Sequence, residues 1–301
     1  MKLDIMRTLI LFILVAVIYS PAYAQPGDDD NYSKGKVYVY KQVDGVNREM
    51  EIFFPQGHDA SERTIPGIIL FHGGGWGGGS REAFSYQCKY FASRGMVAAT
   101  VTYRLRTKAD RAAMKDGQSS KRVCIPDVKS AIRWFKQHAN ELGVDTNRIV
   151  AGGGSAGGHI SLLGTTNPGL NDPNDPNNVD ASVAAYVLFN PALSKSDKTD
   201  TDVDFLQHLK ADFGPAIVFF GSEDKWLKNG WTPAAAKMKA LGITSVDVRI
   251  AEGQTHAFFN KQPWKDITLI AADKFLNKLG YLKGQPTLSM PRTGEKLVKK
   301  L

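Results

Sequence analysis

Arg148-Ile149-Val150-Ala151-Gly152-Gly153-Gly154-Ser155-Ala156-Gly157 is the stretch on which the fold turns. Its first half is a short apolar strand, and the residues after it read as a helix. Gly153 to Gly157 has the form G-x-S-x-G. On a strand-to-helix bend, that spacing holds a serine exposed at the top of a sheet. Small residues suit the bend, because glycine accepts backbone angles that a side chain forbids. A glycine-rich turn that merely contains a serine is the competing reading, so the surrounding elements have to decide.

They continue the same pattern. Val37–Tyr40 and Met50–Phe54 alternate like paired strands, with Asp44-Gly45 as the turn signal between them. Gly67–Phe71 and Met96–Val101 are unbroken apolar runs, as expected of strands buried on both faces of a parallel sheet. Ala184–Phe189, Ala216–Phe220 and Val246–Ile250 follow. Helices are predicted over Arg81–Arg94, Asp127–Leu142, Thr232–Leu241 and Ile267–Leu279. In Asp127–Leu142 the apolar residues Val128, Ala131, Ile132, Phe135, Ala139 and Leu142 keep helical spacing, and Asp127 is placed to cap the first turn. Strands alternating with helices predict an α/β fold: about eight strands, mostly parallel, with helices on both faces. Arg104–Arg122 and Asn167–Asp180 read as loops, neither long enough for a large cap. From Gly284 the chain has no strong pattern and is expected to drape over the surface or fray.

The beginning of the chain reads differently. Lys2 and Arg7 precede the apolar run Leu9–Ile18, and Ala22-Tyr23-Ala24 follows. This is the form of a Sec-type signal peptide cleaved after Ala24. The run is short for a span, which needs about 20 apolar residues. Residues 1–24 are thus assigned as signal peptide, 25–283 as the catalytic domain and 284–301 as the tail. A secreted or periplasmic protein is expected, with no membrane span after cleavage. The 301 residues carry a formal net charge of +8, but no basic stripe with interleaved aromatics, so no nucleic-acid partner is expected. Cys88 and Cys124 are open to two readings, a disulfide in an oxidising compartment or buried thiols.

Serine needs a neighbouring base, and the base an orienting acid. Gly221-Ser222-Glu223-Asp224 directly follows strand Ala216–Phe220, and Glu252-Gly253-Gln254-Thr255-His256 directly follows strand Val246–Ile250. Both segments leave the sheet at the edge that carries Ser155. Of the six histidines, His256 alone sits where a base is required. His58 lies in a polar loop, His138 and His208 in helix-like stretches, and His159 one turn beyond Ser155. Asp224 is preferred to Glu223 as the acid. His72-Gly73-Gly74-Gly75-Trp76 follows strand Gly67–Phe71. Its glycines bring backbone N–H groups close to a developing oxyanion, so Gly74, Gly75 and the N–H of Ala156 are the candidate donors, with His72 structural. Trp76 and Phe258 are candidates for the pocket wall or for aromatic core. No metal or cofactor is called for.

These pieces resemble the α/β-hydrolase serine esterases that carry an HGGG oxyanion loop. They are similar to the hormone-sensitive-lipase-like carboxylesterases and more so to the bacterial feruloyl and acetyl-xylan esterase group. The resemblance rests on His72–Trp76, Tyr103–Leu105, Asp127–Trp134, Gly153–Gly157, Gly221–Asp224 and Glu252–Asn260. It implies metal-free ester hydrolysis on a sheet of about eight strands. The implied substrate is a small ester or an acylated polysaccharide. Two departures stand out. Hormone-sensitive-lipase relatives usually have Asp before the serine, where this chain has Gly154, and relatives often read H-G-F-F where this chain has His256-Ala257-Phe258-Phe259. A serine peptidase of the same fold and a non-catalytic carbohydrate-binding hydrolase-fold protein are the alternatives. The first usually carries a propeller, and no repeats occur here. The second usually loses a triad member, and none is lost.

Overall fold

The structure is a computed structural model that describes residues 35–300. The signal-peptide assignment lies outside the described residues. Nine strands form one sheet: β1 (Lys36–Val43), β2 (Val46–Phe53), β3 (Ile65–Phe71), β4 (Val97–Val101), β5 (Val144–Gly154), β6 (Ala185–Phe189), β7 (Ala216–Gly221), β8 (Val246–Ala251) and β9 (Leu297–Lys300). Their order is β1-β2-β4-β3-β5-β6-β7-β8-β9. The pairs from β4 through β3 to β8 are parallel; β1 with β2, β2 with β4, and β8 with β9 are antiparallel. Asp44 and Gly45 both adopt positive φ in the first hairpin, as a two-residue turn of this kind requires.

Among the described residues the α-helices are α1 (Ser85–Ser93), α2 (Lys108–Ala113), α3 (Ile125–Gln137), α4 (Ala139–Leu142), α5 (Ala156–Thr166), α6 (Phe205–His208), α7 (Thr232–Ala240) and α8 (Trp264–Lys278). The two faces of β3 show why its sequence is continuously apolar. Ile69 and Phe71 join the core with α3, α5 and α7, while Ile68 and Leu70 join the core with α1 and α8. A strand buried on both sides has no polar face to present.

Three expectations are corrected. The sheet has nine strands among the described residues, because the end of the tail, Leu297–Lys300, pairs antiparallel with the edge of β8 and covers its free backbone groups. The helix predicted over 127–142 is two helices. At His138 the chain leaves helical geometry, its Nδ1 bonds the Trp134 carbonyl at 2.8 Å, and its ring stacks on Trp134. Asp127 caps nothing. Its carboxylate accepts the Arg104 backbone N–H at 2.7 Å and the Lys41 ammonium at 2.9 Å, and the ion pair with Lys41 is a stronger claim than a helix-end amide. Of the two readings open for Cys88 and Cys124, the structure has buried thiols: both are free and lie in cores on opposite faces of the sheet.

Candidate active site

Parallel strands present their carboxyl ends at one edge, which is where ligands meet open α/β sheets. Here β3 delivers the glycine loop, β5 delivers Ser155, β7 delivers Asp224 and β8 delivers His256. Ser155 takes φ +53° and ψ −116°. A side chain in that region is strained by about 1–3 kcal/mol and stays only where its surroundings leave no alternative. Those surroundings are visible. The Ser155 N–H donates to the Phe189 carbonyl at 2.8 Å, and the Ala192 N–H donates to the Ser155 carbonyl at 3.0 Å. At Gly157 a Cβ would stand 1.9 Å from the Phe71 carbonyl oxygen, so only glycine lets α5 start so close to β3.

Ser155 Oγ lies 2.8 Å from His256 Nε2, and His256 Nδ1 lies 2.7 Å from Asp224 Oδ2. An ionised carboxylate only accepts, so it fixes the proton on Nδ1 and leaves the Nε2 lone pair facing the serine hydroxyl. Asp224 is buried, and its other oxygen accepts the Trp226 N–H at 2.9 Å. The loops carrying acid and base are tied together. The Glu223 N–H donates to the Gln254 carbonyl at 3.0 Å, and the Gly253 N–H donates to Ser222 Oγ at 2.9 Å. Glu223, the alternative acid, is exposed, with Ser222 Oγ donating to it at 3.3 Å.

Gly74 has φ +117°, and a Cβ there would meet the Gly78 carbonyl oxygen at 2.1 Å. Gly75 has φ +61°. The loop lies against the serine: a Cβ on Gly73 would come within 3.3 Å of Ser155 Cβ. His72 is structural. Its Nδ1–H donates to the Gly73 carbonyl at 2.7 Å, and its ring stacks on Tyr103, whose hydroxyl donates to the His72 carbonyl at 2.8 Å. Burial holds the His72 pKa below the usual imidazole value, which keeps it neutral. Ala156 opens α5 at its amino end, where a helix has unpaired N–H groups.

The two candidate wall residues separate. Phe258 is core, packed edge-on against Trp264. Trp76 is also buried, at 5% exposed, but it adjoins the site through Trp226. That ring lies 6.4 Å from Trp76 and 6.4 Å from His256. Trp226 was not singled out from the sequence; its position two residues past Asp224 was the available signal. Phe259 was also missed. It explains Gly154, because a Cβ at 154 would meet Phe259 Cζ at 2.5 Å. His159 points into the core, with Nε2 donating to the Val203 carbonyl at 3.1 Å. Among the described residues no group of three or more His, Cys, Asp and Glu is arranged to hold a metal, and no helix is long and apolar enough to cross a membrane.

Residues 50–192 match the family model described as BD-FAE. Among solved structures, Thermogutta terrifontis esterase 2 phosphorylated by paraoxon is similar at 34% identity and a TM-score of 0.74, covering 84% of this chain and 96% of that one. Esterase LipC of Mycobacterium tuberculosis is 31% identical over 50% of this chain and 37% of its own length. The non-reducing polyketide synthase ausA of Emericella nidulans is 28% identical over 51% of this chain and 6% of its own length. The chain thus spans well under two thirds of these two curated relatives.

Proposed function

The chain belongs to the serine esterases of the α/β-hydrolase family, and on that premise we propose that it hydrolyses carboxylic esters through an acyl-enzyme at Ser155. The observation that carries the reading is the hydroxyl–imidazole–carboxylate chain, 2.8 Å and 2.7 Å long at its two links, on a strained serine. Ser155 Oγ bonds to the ester carbonyl carbon as its proton passes to His256 Nε2. The N–H groups of Gly74, Gly75 and Ala156 receive the oxyanion, each such donor being worth about 2.7–4 kcal/mol. The carbon–oxygen bond to the alcohol then breaks, and His256 returns the proton to the leaving oxygen. Water repeats the sequence and releases the acid, with His256 again as base. Asp224 holds the imidazole in register and balances its positive charge in both halves.

The substrates we propose are short acyl esters, acetyl or feruloyl groups carried on carbohydrate. Two things support this: the family match, and short inserted helices at the site edge, six residues in α2 and four in α6. A bulky alcohol needs an open approach. Export through residues 1–24 fits a polymeric substrate outside the cell.

The test compares residues 25–301 with Ser155→Ala on p-nitrophenyl acetate, butyrate and octanoate, and on acetylated xylan. Turnover is expected to fall from acetate or butyrate to octanoate and to vanish in Ser155→Ala. Paraoxon, which phosphorylates the related esterase, is expected to inactivate the wild type and to label the peptide containing Ser155. Equal turnover by both proteins, or a label elsewhere, overturns the assignment.

A further inference from the structure

Trp76 directly follows the glycines proposed to receive the oxyanion, and it takes φ +63°. A side chain keeps that conformation only when its neighbours enforce it. The Arg106 N–H donates to the Trp76 carbonyl at 2.8 Å, which holds the backbone. The indole is held by charge. Lys121 Nζ lies 4.2 Å from the ring centroid and the Arg106 guanidinium carbon 5.2 Å from it. The His159 ring meets the indole edge-on at 5.5 Å.

Lys121 is the unusual member. It is 8% exposed, and a buried ammonium is costly unless it is paired. Its partner is Asp197, itself buried, through an ion pair from Nζ to Oδ1. The other Asp197 oxygen lies 3.6 Å from His159 Nε2. Burial pulls the His159 pKa down to about 4, so this ring is neutral and the lysine is the only one of the two to carry positive charge. A buried ion pair is a poor device for stability, since an apolar pair of like volume does as well or better. A desolvated cation over an indole is a good device for fixing a ring.

We infer that Lys121, with Asp197 as counter-ion, is a positioning residue for the oxyanion loop: its ammonium fixes the Trp76 indole, and Trp76 fixes the backbone of Gly74 and Gly75. This rests on the reading of those glycines as oxyanion donors. Donors displaced by a fraction of an ångström weaken the transition state more than the bound ester, so the effect falls on kcat rather than on KM.

The decisive protein is Lys121→Met with Asp197→Asn, which removes both charges and leaves neither unpaired. Loss of one oxyanion donor costs about 10²–10³ in kcat, and a misplaced donor should cost less: we expect kcat on p-nitrophenyl acetate to fall about 10–30-fold with KM changed less than about twofold. Lys121→Arg is expected to recover most of the rate. In a Trp76→Leu background the charge removal should cost less than about twofold more, because the ring it acts through is gone. Wild-type kcat in the neutral pair, or full additivity with Trp76→Leu, overturns the inference while the esterase reading stands. If Ser155→Ala turns over like the wild type, that reading fails and takes this one with it. Should the neutral pair not fold, Trp76→Leu alone decides: about a tenfold fall in kcat at constant KM supports the role, and wild-type kcat overturns it.

Discussion

Asp224→Asn tests the site at its most constrained point. Asparagine has the same shape, and the Trp226 N–H, which donates to Oδ1 at 2.9 Å, selects how the amide sits. Its oxygen must face Trp226, so its NH₂ faces His256 Nδ1. That donor forces Nδ1 to accept, which places the imidazole proton on Nε2, pointing at Ser155 Oγ. The hydroxyl then has no base. The second loss is electrostatic. The carboxylate 2.7 Å from Nδ1 no longer balances the imidazolium, and a charge pair about 4 Å apart is worth about 4 kcal/mol at an effective dielectric of about 20. At about 1.36 kcal/mol per factor of ten, this term alone is about 10³ in rate. The wrong tautomer adds to it, for an expected fall of about 10³–10⁴ in kcat. The assay is steady-state hydrolysis of p-nitrophenyl butyrate, with a thermal melt to show that the fold is intact. A loss below about tenfold in a folded protein would refute the argument, because it would mean that the acid neither selects the tautomer nor stabilises the imidazolium.

Other expectations follow from the packing. Gly154→Ala places a Cβ 2.5 Å from Phe259 Cζ, an overpacking cost of about 1–3 kcal/mol; the melting temperature should fall, and Phe259→Leu should restore at least half of the loss. An unchanged melt in Gly154→Ala would show that the ring moves freely. His159 has a native pKa of about 4 against 6.5 for the free side chain. Between those values the unfolded chain binds more protons, so stability should fall as pH drops through that window, by up to about 3 kcal/mol at its foot. His159→Gln should flatten the dependence of the melting temperature on pH from 7 to 4, and an identical slope would dismiss the histidine as its source. Burial pushes the Cys124 thiol up to about 12 and the Cys88 thiol well above its usual value. Neither should react with a thiol reagent at pH 8 in the native protein, and both should react in denaturant. Fewer than two reactive thiols in denaturant without reductant would contradict the free cysteines.

What the sequence determined by itself was the order of parts. Buried parallel strands are continuous apolar runs, so each could be read locally. Ser155, Asp224, His256 and the glycine loop each follow such a run directly, and parallel strands all end at one edge. Adjacency in the chain therefore translated into adjacency in space. The strand of the tail was illegible for the opposite reason. Leu297–Lys300 is a short edge strand with little buried face, and only the open side of β8 makes it a strand. The same holds for side chains whose meaning lies in distant partners. Nothing near Gly154 announces Phe259, nothing in Arg122-Val123-Cys124 announces that the preceding Lys121 ends on Trp76, and the fate of both cysteines depended on which face of the sheet each helix covers. Periodicity records what a residue's own element requires. Contacts between residues far apart in the chain are decided by how the layers close, and only the tertiary structure carries that.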